Sequence, residues 1–180
     1  MMRAMELPYS AAWLSRWRVE VTDAVNGMMS TFEETHGFAP GANEVRVANE
    51  DDLCAARDYA RLSLGFDDMR LFYESIGEVA LPDVGNGYFI HSARTVLAEV
   101  AEGGYVFIPE ADDPHGTVIG SDGGGLLFVA DWGGVIHRSR TASLEVGEFD
   151  GVADDLPEFL DLLRRSVVHF VRTGEPGGYL

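Results

Sequence analysis

The sequence predicts an α+β domain: a mainly antiparallel sheet of about five or six strands packed against helices. Three observations carry that expectation. Between Gly116 and His137 three short apolar runs are separated by Ser121–Gly125 and Asp131–Gly134, connections too short for a parallel crossover. The middle run, Leu126 to Ala130, is five apolar residues without alternation, as expected of a strand covered on both faces. From Val152 to Thr173, Phe159, Leu160, Leu163, Val167 and Phe170 recur at helical spacing, which marks a closing helix with one face toward the sheet.

The elements follow in order. Trp13, Trp17, Val21, Val25, Met28, Met29 and Phe32 form one apolar face of a helix from Ser10, its N-cap, to about Thr35, and Gly37 with Pro40 ends it. Gly37 to Val47 is a connector with a short strand at its end. Asn49 caps a second helix whose first turn carries Glu50, Asp51 and Asp52, where the dipole favours acids. That helix runs to about Leu64, where Gly65 breaks it. Phe66 to Ile76 is read as a third helix with Met69, Phe72, Tyr73 and Ile76 inward.

Pro82 to Gly87 is turn chemistry, and Tyr88-Phe89-Ile90 is a strand. Ser92 caps a short helix that Gly103-Gly104 stops. Tyr105 to Ile108 is a strand ended by Pro109, and Glu110 to His115 is an acidic loop. In the central stretch, Thr117-Val118-Ile119 is β-branched, and Asp-Gly and Gly-Gly steps supply the positive φ a tight hairpin needs. Val135-Ile136-His137 begins the return strand. Ser143 to Phe149 reads as a strand or extended edge, and Val152 opens the last helix, with Asp154 and Asp155 in its first turn. Residues 174–180 form a tail.

Composition narrows the function classes. Thirty acids against 13 bases give −17, and every base is arginine. A chain without lysine hosts no Walker A lysine, Schiff base or lysine catalyst. Strong negative charge argues against nucleic acid as ligand, since phosphate contacts need a basic surface. It favours solubility and fast encounter with a basic partner. No apolar run approaches the ~18 residues of a membrane helix. The first residues carry charges and tryptophans where a signal peptide needs an unbroken apolar region. One cysteine, Cys54, excludes an internal disulfide and agrees with a reducing compartment, so a cytoplasmic protein is expected.

Four segments in order resemble the SUKH superfamily over roughly 47 to 165. They are EDDLCAARDYARLSLGFDDMRLFYESIG, ALPDVGNGYFIHS, GSDGGGLLFVAD with Val135-Ile136-His137, and GEFDGVADDLPEFLDLL. Members often enter the helix corresponding to Phe66–Ile76 with Leu-Pro-x-x-Tyr, where this chain reads Gly65-Phe66-Asp67-Asp68-Met69. The resemblance implies a SUKH-like domain at 47–173. An N-terminal accessory helix and connector at 1–46 would precede it, and a tail at 174–180 would follow. It also implies a binding module: bacterial members are mostly immunity proteins that neutralise nuclease- or deaminase-like toxins, and fungal members are regulators and scaffolds of cell-wall synthesis. The absence of lysine, as in a GC-rich bacterial genome, favours the immunity branch.

Searching the residues for chemistry returns little. His36, His91, His115, His137 and His169 are scattered singly, without metal-ligand spacing. The glycines at 123–125 lead into a strand rather than a helix, so they make a turn and no phosphate cradle. The acid pairs sit mostly in first helical turns, and adjacent residues on a helix point apart. The sequence therefore predicts no catalytic residue, no metal and no cofactor. It predicts an immunity-type protein for a basic toxin domain, with no nucleic acid or membrane partner and an open oligomeric state. A scaffold without a toxin is one alternative, and a metal-dependent hydrolase using Asp122, Asp131 and His137 is another. The expected partner surface is an acidic rim of Glu148, Asp150, Asp154 and Asp155 around Tyr88 and Trp132. There Trp132 serves as core lid or partner anchor.

Overall fold

The computed structural model describes residues 8–62 and 67–180. The expected helix end at Leu64, the break at Gly65 and the helix start at Phe66 lie outside the described residues. Among the described residues, five helices and an eight-stranded, wholly antiparallel sheet make an α+β fold. The elements are α1 (Ala11–His36), β1 (Glu44–Val47), α2 (Glu50–Arg61), α3 (Asp67–Ser75), β2 (Ile76–Leu81), β3 (Tyr88–Ile90) and α4 (Ala93–Gly103). After these come β4 (Val106–Phe107), β5 (His115–Asp122), β6 (Leu127–Asp131), β7 (Ile136–Ser139), β8 (Phe149–Ala153) and α5 (Leu156–Thr173). The sheet order is β1-β2-β3-β5-β6-β7-β8, and β4 pairs with the start of β5, on which β3 holds the far end. Among the described residues no helix is long and apolar enough to cross a membrane.

The two central hairpins are built alike. Asp122 and Asp131 each open a D-x-G-G turn in which the backbone N–H three residues on donates to the aspartate C=O. The aspartate Oδ1 accepts the N–H four residues on, at 2.9 Å from Leu126 and 3.0 Å from Val135. Gly125 (φ 88°) and Gly134 (φ 93°) close the turns in the left-handed region, the geometry of a type I turn with a G1 bulge.

Two strands differ from expectation. Ile76 begins β2 instead of ending a helix, because Ile76, Val79 and Leu81 turn onto the core side of the sheet. Gly77 in that strand has a packing reason. A Cβ there would sit 2.6 Å from the Arg46 guanidinium, which crosses it to grip both oxygens of Asp52 at the start of α2. At the other end, Ser143 caps a 3-10 turn (Leu144–Val146), and 149–153 pair with β7 as β8. The closing helix therefore starts at Leu156. Asp155 is its N-cap, accepting the Glu158 N–H at 2.8 Å, and Asp154 precedes the helix with its N–H donating to the Glu158 carboxylate at 2.7 Å.

One core lies between helices and sheet. Phe128, Phe159, Leu160 and Leu163 are buried as expected, while Leu126, placed in the hairpin turn, is half-buried. The first helix belongs to this core: Leu14, Trp17, Val21 and Val25 are buried in it, and the Trp17 indole N–H donates to the Leu160 carbonyl at 2.7 Å. An accessory segment ending at 46 does not describe this packing, and that boundary falls inside β1. A smaller cluster on the outer face of the sheet joins Ile108, Val129 and Phe149.

Candidate partner-binding surface

The expected acidic rim is not one surface. Register places Tyr88 opposite Asp122, whereas Trp132 follows Asp131, which sits opposite Gly116. Six residues of β5 separate the two positions, about 20 Å. Tyr88 is moreover 8% exposed and packs in the main core, so it is no rim residue. The acids divide in the same way. Asp150 lies opposite Arg138, and the Arg140 N–H donates to the Glu148 carbonyl, toward the Asp122 hairpin. Ala153 lies opposite Ile136, so Asp154 and Asp155 follow toward the Trp132 turn.

Their surroundings differ too. Arg140 donates to both oxygens of Asp150, and this pairing holds the Asp150 carboxyl below the usual carboxylate range. Asp155 is committed to capping. Trp132 is half-buried against the main core, with His115 and Tyr105 against its ring.

The hydrolase trio is likewise divided. Asp131 and His137 do meet, with His137 Nε2 2.8 Å from Asp131 Oδ2 and both residues buried. A carboxylate only accepts, so the ring proton sits on Nε2. Asp122 lies beyond the opposite end of β6, in the turn of the other hairpin, and spends its Oδ1 on Gly124 and Leu126. Among the described residues no group of three or more His, Cys, Asp and Glu is placed to hold a metal ion.

A different surface stands out on the outer face. Between α4, β4 and the 144–147 turn lies a cleft of about 560 Å³ whose floor includes Val118 and Leu127. Tyr105 (40% exposed), Phe107 (57%) and Leu144 (40%) line it, three of the large apolar side chains this protein leaves in solvent. Glu99 and Glu145 line it as well, and His91 Nδ1 sits 3.4 Å from Glu99. A second recess of about 270 Å³ shares Pro109 and Gly147 with the first and adds Glu110, Glu148, His137 and Arg140. Together they present four glutamates against one arginine around an apolar floor.

Local sequence accounts for the parts. Gly103-Gly104 ends α4, and β4 then runs only two residues, so Phe107 stays at an uncovered edge. Gly147 (φ 64°) reverses the chain after the 3-10 turn, which leaves Leu144 and Glu145 outward. The sequence signalled the exposed aromatics only as a short strand, and nothing local told that Leu144 would face them. A cleft of this size with apolar walls and a few charges suits a side-chain cluster of another molecule or a small ligand. Comparison with protein-family models, curated proteins and solved structures finds no match to this chain.

Proposed function

We propose that this chain is a non-catalytic, cytoplasmic binding protein that captures a basic bacterial toxin domain and neutralises it. The observation that carries the proposal is the outer-face cleft, apolar at its floor and lined by Glu99 and Glu145, with Glu110 and Glu148 in the adjoining recess. An apolar centre with charges of one sign around it is the layout of a protein interface whose partner carries the opposite sign. The total charge of −17 supports the same direction, because it raises encounter rates with a basic domain and disfavours nucleic acid. The resemblance of 47–165 to SUKH proteins supports an immunity role, and so does the order of Gly-rich turn, strand ending at Asp131 and closing helix. Within this proposal Asp131 and His137 hold a hairpin and do no chemistry.

The test is co-expression with the products of the genes that flank this one, among which the proposal expects a toxin. Growth should be rescued, and the purified pair should form a complex whose association rate falls by about tenfold or more from low to moderate salt. Flanking products of which none binds and is neutralised overturn the proposal.

A further inference from the structure

Four rings from three places in the sequence meet at one end of the sheet. Tyr105 stands against Trp132, with centroids 5.5 Å apart and planes at 82°. Trp132 stands against His115 at 5.1 Å and 32°, and His115 against Phe107 at 5.9 Å and 70°. The backbone holds the row in place. Phe107 is paired with His115 in the β4–β5 ladder, and the Trp132 N–H donates to the His115 carbonyl at 2.9 Å. Alternation along β4 explains why the rings stay outside. Ile108 (1% exposed) and Val106 pack with Val129 and Phe149, while the alternate residues Tyr105 and Phe107 stay out of both core clusters.

We propose that this row is a receptor for an arginine or lysine side chain of the basic partner; the inference rests on the binding-protein proposal above. Folding does not require these exposures, since Trp132 alone reaches the main core and Phe107 contributes mainly solvent-facing area. Charge selects the occupant. From Thr95 to His137 the chain has seven acids and no arginine, and the loop joining Phe107 to His115 contains Asp112 and Asp113. Neither of those two has an ion-pair partner within 4.0 Å among the described residues, whereas Arg140 is taken by Asp150.

Aromatic faces carry negative potential that attracts a guanidinium or ammonium, with tryptophan the strongest. A neutral apolar ligand would gain nothing from the acids. Among the described residues no arginine of this chain stacks on the row. Both Tyr105 and Phe107 also line the outer-face cleft, so a partner seated there brings its flanking cation onto the rings.

The probe is a tetra-arginine peptide, with a tetra-citrulline peptide as its uncharged isostere, titrated into the full chain at low salt. The readout is the indole N–H resonance of Trp132, with those of Trp13 and Trp17 as internal references. The arginine peptide should move Trp132 selectively and the citrulline peptide should not. In the double variant Tyr105→Leu, Phe107→Leu the shift should be lost, with the unfolding midpoint unchanged. Trp132 is left intact because its contact with the core would mix folding with binding. Against the toxin domain the same double variant should bind about 3- to 30-fold more weakly.

A peptide that leaves Trp132 unmoved, or moves Trp13 as much, overturns the receptor, as does an equal effect from citrulline. A selective shift of Trp132 in a protein that forms no complex with the toxin upholds the receptor and overturns the toxin reading instead.

Discussion

Asp131 is occupied on both oxygens: Oδ1 accepts the Val135 N–H and Oδ2 meets His137. Asp122 makes the same turn with Oδ1 but holds no buried partner. The difference sets an expected ranking. Asp131→Ala leaves an imidazole buried without its acceptor and should cost about 2–4 kcal/mol, against about 1 kcal/mol for Asp122→Ala. Urea unfolding midpoints of the two variants at neutral pH check it, and equal losses would mean that the His137 contact contributes nothing.

Asp68 is the opposite case, an acid in an unfavourable place. Burial comes first, and the negative charges of Asp155 and Asp67 add to it, raising its pKa despite its position in the first turn of α3. The folded state therefore holds the proton more tightly than the unfolded chain. Above the raised folded pKa the ionised group costs stability, and that cost is relieved as pH falls through it toward the unfolded value near pH 4. Asp68→Asn should accordingly raise the melting temperature at pH 7, with the gain fading below about pH 4. A gain of the same size at both pH values would point to packing and not to charge.

Among the elements, α1 decides how much of this chain folds as a unit. Its apolar face lies against α5, α3 and β1, and Trp17 bridges to the Leu160 carbonyl in α5. Without it, the side of α5 around Leu160 would lie open to water. A chain beginning at residue 38 should lose its cooperative unfolding transition and bind a hydrophobic dye such as ANS. In the full chain, Trp17→Ala should cost about 3–5 kcal/mol. A chain of residues 38–180 that melts cooperatively at the full-length midpoint would make α1 the accessory element its sequence position indicated.

For the whole molecule the governing quantity is charge. Acids lie on every described helix and on β1, β2, β5, β6 and β8, yet the outer-face recesses gather four glutamates beside one arginine, and Arg140 is already paired with Asp150. Neutralising Glu99, Glu145 and Glu148 together as glutamines should slow association with the basic toxin domain about 3- to 30-fold at low salt and flatten its salt dependence. All three are exposed, so the thermal midpoint should hold. Stopped-flow association at two ionic strengths decides it. Unchanged rates would assign these acids to solubility and place the interface elsewhere.

What the sequence determined alone is what short-range chemistry settles. The D-x-G-G turns, the caps at Ser10, Asn49 and Ser92, and the helical faces of α1 and α5 depend on residues within a turn or two of each other. So did the meeting of Asp131 with His137, six residues apart across one hairpin. Ile76 was different: it continues the spacing of Phe72 and Tyr73 and equally begins an alternating strand, and only pairing with β1 and β3 chose the strand. The boundary between β8 and α5 was hidden likewise, because Val152 and Ala153 suit either element until β7 offers them a partner. The candidate surface was the least legible. Tyr105, Phe107, His115 and Trp132 come together through the β4–β5 pairing and the turn after β6, and Glu99 faces Glu145 across 46 positions of chain. Contacts of that separation exist only once the sheet has formed, since backbone pairing across strands, not the identity of neighbours in sequence, sets which side chains share a face.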